Sequence, residues 1–442
     1  MKRFVLVNSP IYWETTSEEE EYLSPLGLGY IATYLKKAGL EVILLDCVKE
    51  KLGVADILKQ ISLLNPEFVG INVFTQNYEL VKHIIEKIPV KCECFVGGQV
   101  VKSIYGNILD WKTSNKLNII IGEGEFIIPD IVLERFEEKI FCQRDNKLVY
   151  KVDKHSQYFP DEISNIYLDR EFLKNEVIVN HYGEKEASIV TSRGCAYDCA
   201  FCGGARGLNQ DITIRMRSAE SIRNEIKELF DLYPDLQSIR ILDDLFLRNE
   251  VSIRQASNIF EEFQQLHWRG MVHALSLANC LDKVEILKKC NCKELFIGIE
   301  SGSDTIRKRI NKVGSISDII KVISKILECG IDVKGYFMYG FPDESREHME
   351  ETYDLACKIK KISEMYAGTF RPSVFQFRPY HGTKLYNEIA QSGIEIPNCL
   401  YNASVYTAEG RGQFNFSSGN YSKVSDEILE EYIIKTQKIM EA

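Results

Sequence analysis

The sequence predicts an α/β protein built from two parallel sheets in series. The first is a doubly wound sheet, the second an open set of six βα units, and a small, mostly helical C-terminal segment follows. Three observations predict it. Short β-branched runs alternate with amphipathic stretches twice along the 442 residues, an order that yields parallel strands covered by helices. Phe68-Val69-Gly70-Ile71-Asn72-Val73 is apolar almost throughout, as in a strand buried on both faces. Three thiols, Cys195, Cys199 and Cys202, fall within eight residues at the end of a further apolar run.

A chain of this length buries more than one sizeable core. The expected division is a first domain over 1–140, a linker over 141–185, the six units over 186–385 and a closing segment over 386–442. Hydrophobic residues make up 45% and charged residues 27%, the composition of a soluble globular protein. No apolar run approaches the roughly 20 residues that span a bilayer. Met1-Lys2-Arg3 leads into strand-like Phe4-Val5-Leu6-Val7, unlike a secretory leader, so thirteen cysteines predict thiols and a metal site in the cytoplasm, not disulfides. The net charge of −10 is spread without a basic block, which argues against nucleic-acid binding and for a small-molecule or peptide substrate. Glu18-Glu19-Glu20-Glu21 reads as a solvated loop.

Strands are expected over 3–8, 41–46, 67–73, 93–97 and 117–121, with helices near 26–38, 56–63, 78–88 and 125–138. In doubly wound sheets ligands sit at the carboxyl ends of the strands. Those ends carry Pro25-Leu26-Gly27, Thr75-Gln76-Asn77, Gly97-Gly98 and Gly122-Glu123-Gly124-Glu125, where glycine lets backbone approach a flat or phosphate-bearing ligand. Residues 139–185 read as a charged, irregular linker interrupted by Pro160. His155 and His181 lie there without metal-ligand spacing.

The second alternation places strands near 187–191, 238–242, 272–277, 295–300, 332–339 and 373–378. Ser218 caps a helix whose Ile222, Ile226, Leu229 and Phe230 recur at helical spacing. Six units are too few for a closed eight-unit barrel, and chemistry again belongs at the strands' carboxyl ends. Asp243-Asp244, Glu300-Ser301, Gly340-Phe341-Pro342 and Arg378-Pro379-Tyr380-His381 stand there. Tyr336, Tyr339, Tyr380 and His381 are the candidates for acting on substrate. The last stretch, with Phe414-Asn415-Phe416 and an acidic helix from Ser425, is expected to close the mouth.

Three soft thiolates on one loop suit iron or zinc with one coordination position left open. A structural zinc site needs four ligands, and the next thiols, Cys280, Cys290 and Cys292, lie about eighty residues away in another pattern. They read as buried thiols.

The cysteine spacing, with Phe201 in the pair before Cys202, resembles the signature of the radical S-adenosylmethionine (radical SAM) family. The resemblance implies a [4Fe-4S] cluster on Cys195, Cys199 and Cys202, whose unique iron chelates S-adenosylmethionine (AdoMet) and splits it to a 5′-deoxyadenosyl radical. It implies an open partial barrel, and AdoMet contacts from Phe201, Gly203, Gly204, Asp243, Glu300, Ser301 and Arg378. The first domain's glycine-bearing strand ends resemble the cobalamin-binding domain that precedes the barrel in one large class of the family. Pro25, Leu26, Gly27, Thr75, Gln76, Asn77, Gly97, Gly98, Gly122, Glu123, Gly124 and Glu125 are the implied contacts. In the wider cobalamin pattern Asp-x-His-x-x-Gly supplies a ligand below cobalt. Here Asp46-Cys47-Val48 has Val at the His position, so cobalamin without a protein imidazole is expected, Cys47 being a small buried hydrophobe.

The implied activity is a cobalamin-dependent methyl transfer to an unactivated carbon that consumes two AdoMet molecules. The alternatives are a radical rearrangement, ring contraction, dehydration or epimerisation, with or without cobalamin, and, from another class, a metal-sensing module. A flavodoxin- or ferredoxin-type reductant would complete the system.

Overall fold

The computed structural model of the protein describes residues 2–13, 22–174, 176–396 and 419–440. The acidic run over 18–21, Cys399, residues 402–412 and Phe414-Asn415-Phe416 lie outside the described residues.

The first sheet is built from β1 (Arg3–Asn8), β2 (Glu41–Asp46), β3 (Phe68–Asn72), β4 (Glu93–Gly97), β5 (Lys116–Ile121), β6 (Cys142–Arg144) and β7 (Lys147–Lys151), in the order β2-β1-β3-β4-β5-β7-β6. All pairs but β6/β7 are parallel. Helices α1 (Leu26–Lys37), α2 (Val54–Leu64), α3 (Tyr78–Lys87), α4 (Val101–Ile108) and α5 (Ile127–Val132) cover its two faces. The central strands are buried on both sides while β2, at the edge, is half-buried throughout, which is why only the centre reads as a continuous apolar run.

Two expectations differ here. The helix expected over 125–138 is only α5. Leu133 ends its last turn and Glu134 turns left-handed at φ 57°. The sheet also runs past residue 140, through the β6/β7 hairpin inside the stretch read as irregular. A helix absent from the reading, α4, contains Gly106 and three β-branched residues, so its propensity is low. Tertiary burial of Val101, Ile104 and Ile108 along one stripe holds it.

The second sheet adds β8 (Ile178–Val179), β9 (Lys185–Ile189), a separate two-stranded ribbon of β10 (Ser192–Arg193) and β11 (Arg215–Met216), then β12 (Ser238–Ile241), β13 (His267–Val272), β14 (Cys292–Glu300), β15 (Asp332–Tyr339) and β16 (Phe370–Gln376). Its order is β16-β15-β14-β13-β12-β9-β8. From β9 to β16 the six main strands are parallel and in chain order, the open barrel expected from six units. Helices α6 (Ala219–Leu232), α7 (Glu250–Phe260), α8 (Ala274–Ala278), α9 (Val284–Lys289), α10 (Asp304–Arg309), α11 (Ile316–Glu328), α12 (Arg346–Ser363), α13 (Lys384–Gln391) and α14 (Asp426–Gln437) accompany them.

The strand expected over 272–277 is corrected: the strand is β13, and most of that stretch is the helix α8. The reason lies on the inner face. Arg269 of β13 is buried among Glu186 of β9 and Glu294 of β14, donating to Glu186 at 2.5 and 2.7 Å and to Glu294 at 2.9 Å. Arg371 of β16 donates twice to Glu294, at 2.6 and 2.9 Å. A charged floor thus crosses the barrel, and β13 carries a polar residue where an apolar one would mark a buried strand. Outside the sheet, Ile222, Ile226, Leu229, Ile253, Ile323 and Ile326 form one continuous core with the outward strand residues.

Candidate active site

The cysteine loop is fixed at its root by a residue from the next strand. Asp243, fully buried just after β12, accepts from the Thr191 N–H at 2.7 Å, the Thr191 hydroxyl at 2.5 Å and the Ser192 hydroxyl at 2.6 Å. Gly194 then turns the chain at φ 93°, a left-handed value that favours glycine. Beyond Cys195 the loop is sewn to the barrel. The Ala200 N–H donates to Ile310 O at 2.9 Å, Leu385 N–H donates to Ala200 O at 3.0 Å, and Asn311 donates to Asp198 O at 2.7 Å. Phe201 packs on Phe341 with ring centroids 5.7 Å apart, inside an apolar patch with Ile306, Ile310, Phe377 and Leu385.

Burial pushes the Cys195, Cys199 and Cys202 thiols up, Cys202 to about 12, and Cys199 and Cys202 each feel their neighbouring thiols as charges. Iron would have to displace those protons. Among the described residues no three His, Cys, Asp or Glu side chains converge closely enough to hold a single ion. A cubane cluster ligates each thiolate through a different iron, so this set of buried and half-buried, mutually sensed thiols suits a cluster.

At the barrel mouth Glu300 ends β14 with φ 66°, and its carboxylate meets Lys312 Nζ at 3.0 Å with both side chains nearly dry. Any Cβ on Gly298 would come within 2.4 Å of that carboxylate and 2.8 Å of the ammonium, so glycine is needed beneath the pair. Lys312 sits beside the cysteine loop, and its charge favours the thiolate forms of Cys195 and Cys199. Sequence reasoning missed it, because a lysine in Asn311-Lys312-Val313-Gly314 reads as a solvated turn.

Ser301 is spent within the fold, its hydroxyl meeting Thr352 at 3.1 Å and accepting from the Ser303 N–H at 3.1 Å. Arg378 is buried, and burial pulls it down to about 10 against a hydrogen bond with Tyr380. His273, a further residue not anticipated, stacks on Tyr197 at 3.9 Å, and burial followed by the charges of Lys312 and Arg307 brings it down to about 3, a neutral imidazole.

The substrate-facing candidates separate. Tyr339 points outward, its hydroxyl 2.7 Å from Thr436 of α14 in the outer core. Tyr336 packs between Phe296 and Phe375, its ring tilted against each with centroids 6.3 and 5.8 Å apart. His381 reaches the first domain, with Nδ1 3.1 Å from the Thr75 hydroxyl, and Tyr380 lies beside it at the edge of the mouth.

Between the two sheets lies a cavity of about 990 Å³, at the upper end of small-molecule sites. Gly98, Gly122 and Glu123 line it from the first domain, and Gly194, Cys195, Gly204 and Asp244 from the barrel. Gly98 (φ 130°) and Gly122 (φ 101°) bring backbone to this wall, and a Cβ on either would strike Val73 O at 2.4 Å or Val152 O at 2.3 Å. Gln99 spans toward the loop, its amide 3.2 Å from where a Gly203 Cβ would stand.

Thr75 and Asn77 serve their own loop and the domain contact. Asn77 accepts from Phe74 N–H at 2.7 Å and donates to Asn72 O at 3.1 Å. Gln76 is half-buried in the same loop, and Gly97 has ordinary space around it. Pro25 caps α1, Leu26 is buried, and Gly27 faces open space. Gly124 is closed in by Ile128 and Ile31. Glu123 and Glu125 engage arginines: Glu123 bridges Arg193 and Arg215, and Glu125 binds Arg193. Cys47 is wholly buried away from the cavity.

The region over 17–132 matches the family model described as the B12 binding domain, and residues 189–356 match that of the Radical SAM superfamily. This chain is a B12-binding-domain radical SAM enzyme. Among similar proteins, an uncharacterised methyltransferase of Pyrococcus horikoshii is 27% identical over 391 residues, covering 82% of this chain and 77% of the relative. The fold is shared with the cobalamin-dependent S-adenosylmethionine radical enzyme OxsB (TM-score 0.66, 15% identity, 96% of this chain and 65% of OxsB). It is also shared with the radical S-adenosylmethionine methyltransferase TsrM of Kitasatospora setae in a complex with tryptophan (TM-score 0.65, 16% identity, 92% of this chain and 78% of TsrM). This chain therefore spans just under two thirds of OxsB's length.

The cofactors of this B12-binding radical SAM enzyme are a [4Fe-4S] cluster, AdoMet and cobalamin. The cavity fits the last of these: it is large, walled by close-approaching backbone, and opens on both domains. Among the described residues no histidine lines it. Electron paramagnetic resonance of the bound Co(II) form is therefore expected to show no nitrogen superhyperfine splitting from a protein imidazole; a splitting lost on ¹⁵N-histidine labelling would place a histidine below cobalt.

Proposed function

We propose that this enzyme is a cobalamin-dependent methyltransferase acting on an unactivated carbon of a small molecule or peptide. The observation that carries the reading is the single cavity bordered by both Gly98 and Gly122 of the first domain and Cys195 and Gly204 of the cluster loop. In this reading Cys195, Cys199 and Cys202 hold the cluster, Glu300 and Lys312 with the Gly203-Gly204 backbone border AdoMet, and the chamber above the first sheet holds cobalamin. When bound, the cluster supplies the electron that cleaves AdoMet to methionine and a 5′-deoxyadenosyl radical, and cobalamin supplies the methyl group.

The protein's own residues position and exclude. Asp243 fixes the root of the cysteine loop with three accepted hydrogen bonds. Phe201, Phe341 and Phe377 wall off water beneath it, which strengthens every charge interaction above. The Glu300–Lys312 pair places a carboxylate at the mouth, where the AdoMet amine and ribose hydroxyls offer donors.

The test supplies AdoMet with a deuterated methyl group together with substrate. Product should gain the labelled methyl, with S-adenosylhomocysteine and 5′-deoxyadenosine formed in comparable amounts. A rearrangement, ring contraction, dehydration or epimerisation would leave product unlabelled and form no matching S-adenosylhomocysteine, and that outcome would overturn the reading. A flavodoxin- or ferredoxin-type protein is proposed as electron donor. A reducing, cytoplasmic setting is proposed with it. Among the described residues no helix is long and apolar enough to cross a membrane.

A further inference from the structure

We propose that Glu123 and Glu125 are positioning residues that lock the cofactor chamber of the first domain to the cluster loop through Arg193 and Arg215, and are not ligands of cobalamin. The inference rests on the chamber assignment made above. It starts from where the four side chains stand.

The turn Gly122-Glu123-Gly124-Glu125 follows β5 and is held from behind. Gly122 lies against Val152 O, with no room for a side chain, and Gly124 packs on the ends of the Ile128 and Ile31 side chains. Arg193 lies in β10, two residues before Cys195, and pairs across the ribbon with Arg215 of β11. Its two terminal nitrogens divide between the carboxylates, Nη1 to Glu123 at 2.8 Å and Nη2 to Glu125 at 2.6 Å. Arg215 grips Glu123 with both of its terminal nitrogens and donates to Pro160 O at 2.8 Å. Aromatic rings back the guanidinium groups, Tyr30 at 5.4 Å from Arg193 and Phe159 at 3.8 Å from Arg215.

Two anions from one domain therefore meet two cations from the other in a charge-balanced, largely buried box. Both oxygens of Glu123 are engaged by the two arginines, so most of that carboxylate's acceptor capacity is spent inside the box. Forked guanidinium–carboxylate pairs fix orientation as well as distance, and a lysine would not reproduce them. Because Gly122 and Glu123 line the cavity together with Gly194 and Cys195, the box sets the separation of the two cofactors. Misplacing reacting groups by an ångström costs orders of magnitude in rate, so the box governs whether a radical made at the cluster meets the methyl donor.

The test compares wild type, Arg193→Met, Arg193→Lys, Glu123→Gln and the swapped pair Glu125→Arg/Arg193→Glu, each reconstituted anaerobically with cluster and cobalamin. Pulsed electron paramagnetic resonance reads the distance distribution between Co(II) and the reduced cluster. Arg193→Met should keep its iron and cobalamin but broaden that distribution, and should make 5′-deoxyadenosine in at least tenfold excess over methylated product. Arg193→Lys should fall between, and the swapped pair should recover much of the narrow distribution. Hydrogen exchange of the cluster-only proteins at residues 122–125 and 194–204 reads the same lock without cobalamin and should quicken in Arg193→Met. An unchanged distribution and exchange pattern in Arg193→Met would overturn the proposal, as would a tenfold loss of cobalamin affinity in Glu123→Gln with the distance unaltered. Absence of methyl label from wild-type product would sink the methyltransferase reading alone, since distance and exchange still report the lock.

Discussion

Replacing Cys195, Cys199 and Cys202 together with Ala is expected to remove the iron–sulfur absorbance altogether and to bring 5′-deoxyadenosine formation to background, against four irons per chain in the reconstituted parent. The expectation follows from the thiol inventory. Cys280, Cys290 and Cys292 belong to the outer hydrophobic core of the barrel, and the Cys280 and Cys290 thiols are turned back onto Ser276 O at 3.4 Å and Leu287 O at 3.3 Å. Cys92 and Cys94 face each other at 3.7 Å inside the core of the first domain. None of these shares the grouping of three thiols on one loop that follows β9. Iron retained by the triple variant would mean that a different thiol set holds the cluster.

Arg269→Met is expected to be the most destabilising single change in the barrel, by about 3–5 kcal/mol, the cost of leaving a buried charge without its partner. For a domain of this size that is roughly a 6–20 °C fall in melting temperature. Arg269 is 4% exposed and the Glu186 and Glu294 side chains are wholly buried. Glu294 keeps Arg371, but Glu186 is left with only the Asn180 amide and the Ser238 hydroxyl, at 3.2 and 3.0 Å. The companion change Glu186→Gln in the Met background should recover part of the loss, because it removes the stranded charge. A calorimetric shift below about 1 kcal/mol in Arg269→Met would show that the floor of the barrel relaxes or hydrates freely.

The same floor shows why part of the fold was not legible in the sequence. Period and composition found both sheets, most strands within a few residues, and the helices that carry long apolar stripes, such as α11 with Ile319, Val322, Ile323 and Ile326 buried on one side. They misplaced β13, whose Arg269 breaks the apolar pattern for a partner far away in sequence, and they passed over α4, which burial holds in spite of Gly106. Local signals cannot register either.

The site divides in the same way. Three cysteines on one loop are visible because their spacing is itself the chemistry. Lys312, Arg193 and Arg215 are not, since a single cation acquires meaning only from the carboxylate that the fold brings to it, here Glu300 or Glu123. Tyr339 misled for the complementary reason: it stands at the right end of a strand but on its outer face, a distinction set by one residue of register.

A ribosome delivers the walls of the cavity between the sheets in a fixed order. The first sheet is complete at Lys151 and carries its own core, so it can fold while the rest of the chain is still being made. Its chamber, however, has walls from residues 194–214 and Asp244, and His381 docks on Thr75 only after nearly the whole barrel has emerged. A nascent chain that has released its first sheet therefore owns a platform without a lid. The complete set of walls exists only in the finished or nearly finished polypeptide, where the barrel stands against the platform.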